Sequence, residues 1–222
     1  MYQEQLHRIQ QKLSQAKVAD KDLEVFGASS HKYHLNPPVS EAEVLAFEKK
    51  YGVSLPEDYR AFVQTIGDAK AQKLDTMAGP YYGLYAFGTQ VDDLLYEGSE
   101  IYLKAPCALS PDMTKEEWEA LSDPLLMSEE EEEEEDEDKY FAERAKVFGG
   151  LLPLGSQGCT YYHALVLNGK YAGRVVNIDV DLRKPKCSQS SHPSSFRYNR
   201  RTFVTLLQTN SQAFSQRERL YS

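Results

Sequence analysis

Cysteine is scarce: three residues in 222, at positions 107, 159 and 187, with no CxxC pair among them. That number and spacing exclude a disulfide framework and a zinc site of the usual pattern, and they suit a reducing compartment. No apolar run approaches the ~20 residues needed to cross a bilayer. The opening MYQEQLHRIQQKLSQ is polar throughout, with neither the apolar stretch nor the cleavage site of a signal peptide. Gly79, Gly83 and Gly88 lie in or beside an expected strand rather than before a helix, so no phosphate-cradling loop is present. What remains is 41% hydrophobic and 11% aromatic, enough for a buried core. The expectation is a soluble cytoplasmic protein.

Net charge is -9, but its distribution matters more than its sum. Ten of the 34 acids form one uninterrupted block: Glu129, Glu130, Glu131, Glu132, Glu133, Glu134, Glu135, Asp136, Glu137 and Asp138. From Arg144 to Ser222 there are 12 bases against three acids, a balance of +9; residues 1–143 carry 13 bases against 31 acids, or -18. An acidic total therefore excludes neither an anionic partner for the last third nor a cationic one for the middle.

Periodicity organises the rest. Leu6, Ile9, Leu13 and Ala16 make one stripe of a helix over 2–18. Ser40 with Glu43 is a capping box, and Val44, Phe47 and Tyr51 follow as an apolar face that Gly52 ends. After Pro56, Tyr59, Phe62, Val63 and Ile66 give a second short helix. GPYYGLYAFG reads as a short strand, and Thr114 with Glu117 as a second capping box. A helix is expected from Tyr140 to Phe148, then a brief strand at LLPLG. Residues 160–167 and 171–178 flank Asn168-Gly169, which predicts a hairpin with a two-residue turn. YYHALVLN is apolar or aromatic on both faces, so this strand is expected to be central and covered twice. Residues 183–199 read as loop and about 200–214 as a last helix, with Phe203, Leu206, Leu207 and Phe214 inward.

Catalytic chemistry is poorly served. Cys159 and His163, four residues apart on an extended chain, stand about 13 Å apart, too far for a thiol and its base. Gly155-Ser156-Gln157-Gly158 lacks the G-x-S-x-G spacing of a nucleophile elbow. His31 and His34 with Asp22 or Glu24 offer no clear ligand set, and Asp179 and Asp181 read as strand-end charges. No catalytic residue, cofactor site or metal site is assigned.

FEKKYGVSLPEDYRAFV, GPYYGLYAFG and LLPLGSQGCTYYHALVLNGKYAGRVVNID follow one another in an order that resembles the SUKH superfamily, in its SMI/KNR-type branch. Leu55-Pro56 with Asp58, Tyr59 and Phe62 is the first motif; G-C-x-x-x-x-x-L-V-x-N-G-x-x-x-G-x-V, from Gly158 to Val175, is the second. The resemblance implies an α+β fold, a twisted, mostly antiparallel sheet packed by helices. On that reading residues 1–222 form one domain: a helical extension over 1–39, a family core at 40–88 and 148–214, and an insertion at about 89–147 holding the acidic run. It also implies a non-enzymatic binding protein. The reading taken is an immunity protein that occludes a toxin domain, of nuclease type with a basic active site; the alternative is an intracellular adaptor of the cell-wall-regulator type without a toxin. Direct contact with nucleic acid or membrane is not expected, and no oligomeric state is read.

Two features are candidate partner-binding surfaces. One is the tyrosine set Tyr81, Tyr82, Tyr85, Tyr161 and Tyr162, since tyrosine brings apolar area and a hydroxyl to interfaces; the alternative is that most of these rings pack the sheet. The other is the acidic block 129–138, read either as a phosphate mimic for a basic site or as a solvated loop, alone or against the basic last third.

Overall fold

A computed structural model of the chain describes residues 2–67, 76–95, 98–128, 137–182 and 196–202. Its fold is α+β, and every strand pairing among the described residues is antiparallel.

Local rules build the helices. In α1 (Gln3–Ala19), Leu6, Ile9 and Ala16 are buried, as their spacing requires. Ser40 caps α3 (Glu41–Tyr51): its hydroxyl accepts from the Glu43 amide at 3.3 Å, and the Glu43 carboxylate accepts the Ser40 N–H at 2.8 Å. Gly52, at φ 63°, ends that helix, and α4 (Glu57–Thr65) follows, burying Tyr59, Phe62 and Val63. The Glu48 carboxylate locks the two together, accepting from the Leu55 amide at 2.8 Å and from Arg60 at 2.9–3.0 Å. A four-residue turn, α2 (Ala28–His31), stands between α1 and α3. The Thr114 box also forms, opening α6 (Lys115–Ser128). The short α5 (Ser99–Tyr102) precedes α6, and α7 (Glu137–Phe148) follows it.

A two-stranded sheet joins β1 (Thr76–Met77) to β2 (Leu84–Tyr85). The main sheet runs in order β3 (Leu151–Gly158), β4 (Tyr161–Val166), β5 (Arg174–Asp179), β6 (Phe196–Thr202). Because side chains alternate along a strand, it presents two buried faces. Leu152, Leu154, Leu165, Leu167 and Val175 join one core with residues of α1, α3 and α4. Leu151, Ala164, Val166, Val176 and Ile178 join the other, with Trp118 and Leu125 of α6 and Val147 and Phe148 of α7. Strand β4 is thus covered twice, as its composition predicts. Arg144, 2% exposed, ties α7 inward: its Nε donates to the Leu94 carbonyl at 2.8 Å and its guanidinium lies 4.9 Å from the Phe148 ring.

Three expectations need correction. The β4–β5 connection is not a two-residue turn, since β4 ends at Val166 and β5 starts at Arg174. Asn168 is committed elsewhere: its side-chain amide donates to the Leu103 carbonyl at 2.6 Å and its own carbonyl accepts from Cys107 N–H at 3.1 Å. The GPYYGLYAFG segment is mainly turn, because Gly83 N–H closes back onto the Pro80 carbonyl at 3.1 Å, leaving two residues of strand. Residues 196–202 are strand rather than loop and helix start; they pair with the β5 edge that would otherwise leave its backbone groups unmatched. Phe203, Leu206, Leu207 and Phe214 lie outside the described residues.

Candidate partner-binding site

Three separate segments converge at one end of the first sheet face, and glycines permit their approach. The carboxylate of Asp20 organises the segment after α1, accepting from the Glu24 amide (2.8 Å), the Val25 amide (3.3 Å) and the Tyr33 hydroxyl (2.7 Å). This presents Phe26 and Gly27. A Cβ on Gly27, at φ 81°, would stand 2.0 Å from the Tyr81 carbonyl oxygen, so only glycine allows that contact. A Cβ on Gly158, at φ 100°, would stand 2.9 Å from the Tyr82 ring. Tyr81 and Cys159 themselves adopt left-handed conformations, at φ 53° and 52°. Left-handed backbone costs a non-glycine residue about 1–2 kcal/mol, and here the surrounding contacts hold it in place.

The result is an outward aromatic patch. Phe26 packs edge-on against Tyr81 (ring centroids 6.2 Å apart) and Tyr82 (5.2 Å). Tyr161 pairs with Gly158 across β3 and β4, beside Tyr82. Phe26 is 61% exposed, Tyr161 48% and Tyr81 44%. Beneath Tyr81, at 5.4 Å between centroids, lies the ring of His163, which is 4% exposed.

His163 belongs to a polar row crossing the sheet. Its Nδ1 is 2.6 Å from Asn177 Oδ1. Gln157 Nε2 reaches Asn177 Oδ1 at 3.1 Å, His163 Nδ1 at 3.2 Å and the Tyr162 carbonyl at 3.2 Å. The network assigns the two Gln157 hydrogens to Asn177 and to the carbonyl, so His163 Nδ1–H donates to Asn177. Nε2 is then a lone-pair acceptor, and it is buried without a partner among the described residues. Burial lowers the His163 pKa and keeps the imidazole neutral.

One residue pair further along, Tyr161 stands opposite Asp179. The Asp179 carboxylate accepts from the Thr160 hydroxyl (2.5 Å), the Asp181 amide (3.1 Å) and the Tyr161 hydroxyl. The Asp179 charge, with that hydrogen bond, raises the Tyr161 pKa. None of these donors is a cation, and Asp179 forms no ion pair among the described residues.

The tyrosine set therefore divides. Tyr81, Tyr82 and Tyr161 share the patch. Tyr162 points to the second core, and Tyr85 hydrogen-bonds Asp93, with burial raising the pKa of both groups. Of the acidic run, residues 129–136 lie outside the described residues; Glu137 and Asp138 are the first two residues of α7. Phe26 was not among the sequence candidates because a lone aromatic in a polar loop carries no periodic signal. Asn177 was legible in principle, two residues before Asp179 on the same strand face.

Cys159 and His163 do not form a nucleophile–base pair: Cys159 is exposed in the β3–β4 turn, and among the described residues no hydrogen bond joins it to His163. His31 is buried, its Nδ1 accepting from the Tyr33 amide at 3.0 Å. Among the described residues no group of three His, Cys, Asp or Glu side chains is placed to hold a metal ion, and no helix is long and apolar enough to cross a membrane.

The model of the SMI1 / KNR4 family (SUKH-1) matches residues 38–192, more than half the chain, and includes every patch residue except Phe26 and Gly27. Comparison with curated proteins and with solved structures finds no match. The family is generally non-catalytic, with roles in toxin immunity or cell-wall regulation, and its members bind partner proteins. On the match across both cores and the sheet between them, this chain belongs to the SMI1 / KNR4 family (SUKH-1).

Proposed function

We propose that this chain is a cytoplasmic immunity protein, without enzymatic activity, that neutralises a toxin domain by stoichiometric occlusion. The observation that carries the reading is the aromatic patch of exposed Phe26, Tyr81 and Tyr161 with half-buried Tyr82, on a glycine-clamped support. Aromatic anchors that need no reordering keep their burial energy for the complex, and such residues dominate the energetics of interfaces. Occlusion then requires no chemistry: the partner's active site is covered, and the inhibition ends when the complex dissociates. A nuclease-type toxin with a basic active site suits the acidic run 129–138, which would speed encounter with a cationic surface by about 10- to 1,000-fold at low salt.

The test is co-expression with the toxin domain encoded beside this chain's gene. Wild-type protein should restore growth, and Tyr81→Ala combined with Tyr161→Ala should fail to do so at equal soluble abundance. No neighbouring toxin, or full protection by the double variant, would overturn the toxin reading or the role of the patch respectively. The first outcome would leave the regulatory scaffold as the family role to pursue.

A further inference from the structure

Three kinds of group at this end of the sheet face are electron-rich: the exposed rings, the Asp179 carboxylate and the His163 Nε2 lone pair. The rings of Phe26, Tyr81 and Tyr161 present π faces and edges to solvent. Asp179 carries a charge held by neutral donors. His163 Nε2 is a lone pair, 4% exposed as a residue, with no donor among the described residues. A neutral apolar side chain would satisfy the rings alone and leave the carboxylate and the imidazole unmet. A partner carboxylate or phosphate would be repelled by Asp179 and would leave Nε2 without a donor.

We propose that the patch receives an arginine side chain of the protein partner, its guanidinium lying on the tyrosine rings and donating to Asp179 and, as a turn of the Tyr81 ring uncovers it, to His163 Nε2. This rests on the reading of the patch as the partner-binding site. Arginine fits better than lysine for a geometric reason. Its planar fork stacks on a ring while five N–H groups remain for acceptors lying in different directions, whereas an ammonium is a strongly hydrated point charge. The charge complementarity is local and does not depend on the acidic run 129–138.

The probe is the peptide acetyl-Gly-Arg-Gly-amide, titrated into the full chain at 150 mM salt and followed by amide NMR, with its citrulline and lysine counterparts as controls. Citrulline keeps the arginine shape and removes the charge. The arginine peptide should bind in the millimolar range and shift Tyr81, Tyr82, Gly158, Tyr161 and Asp179. The citrulline peptide and the Asp179→Asn variant should each bind about tenfold more weakly, as expected for loss of one charge-assisted hydrogen bond. The His163 Nε2 nitrogen resonance should move on binding, reporting the donated hydrogen bond. Equal binding of citrulline, equal binding of lysine, or shifts spread away from the patch would overturn the proposal. The wild-type comparison keeps it testable should Asp179→Asn misfold. Strand pairing brings Arg197 to the register position of Asn177. A tenfold gain in affinity for Arg197→Gln would make that residue the occupant and overturn the assignment to a partner. No toxin enters this measurement, so its failure leaves toxin occlusion standing, and failure of toxin protection leaves the arginine result standing.

Discussion

Replacing Gly27 by alanine isolates the contact on which the patch depends. The new Cβ would lie 2.0 Å from the Tyr81 carbonyl oxygen and 2.3 Å from its carbon, both backbone atoms that cannot swing aside. Gly98 supplies the control: it has a similar left-handed φ, 84° against 81°, but nothing among the described residues lies within 4 Å of its would-be Cβ. Both substitutions bear the left-handed penalty of about 1–2 kcal/mol, offset by about 0.4–1 kcal/mol from a stiffer unfolded chain. Only Gly27→Ala adds overpacking, typically about 1–3 kcal/mol. The difference between the two variants should therefore be about 2 kcal/mol, or about 4–8 °C in Tm for a chain of this size. Thermal melts followed by near-ultraviolet circular dichroism measure it. Gly27→Ala should also lose partner binding beyond what its stability explains, because relief of the clash displaces Tyr81. Equal melting of the two alanine variants would refute the clamped turn.

Phe62, 1% exposed in the first core, should cost about 3–5 kcal/mol on replacement by alanine, read from urea denaturation. His163 and His31 have pKa values lowered by burial, so between their depressed folded values and about 6.5 the unfolded chain binds more protons. Stability should be full above about pH 7 and fall as pH drops through 6.5, by at most about 1.4 kcal/mol per pH unit for each histidine. His163→Gln should make that slope shallower; an unchanged slope between pH 5 and 7 would contradict a buried neutral imidazole. Deleting residues 129–136, which keeps the first turn of α7, should leave stability within about 1 kcal/mol of wild type. The same deletion should slow association with a basic partner and flatten its salt dependence, with little change in dissociation.

The helices were legible because their signals are local. A capping box at Ser40 or Thr114 and an apolar stripe through Leu6 and Ile9 or Tyr59 and Phe62 need no distant partner to be read. The double burial of β4 was legible because a strand without a polar face has no other place. The errors lie where a tertiary contact outranks a local preference. Asn168-Gly169 favours a tight turn, yet Leu103 and Cys107 claim Asn168 through hydrogen bonds 65 and 61 residues away in sequence. Residues 196–202 have no strong local preference and become strand only because β5 offers an edge. The tyrosines that form the patch were named from composition, but their separation from Tyr85 and Tyr162 was not: it depends on strand register and on the Gly27 and Gly158 approaches. Phe26 enters only through its ring contacts.

Occlusion through the patch is tested most directly by titrating the neighbouring toxin domain's activity with purified protein, wild type beside Tyr81→Ala and Cys159→Ala. The account predicts complete inhibition at one molecule of protein per toxin, unchanged by Cys159→Ala, and a dissociation constant raised about 30-fold or more by Tyr81→Ala, the threshold of a hot-spot residue. Inhibition completed by far less than one equivalent, or a Tyr81→Ala curve lying on the wild-type curve, would contradict it.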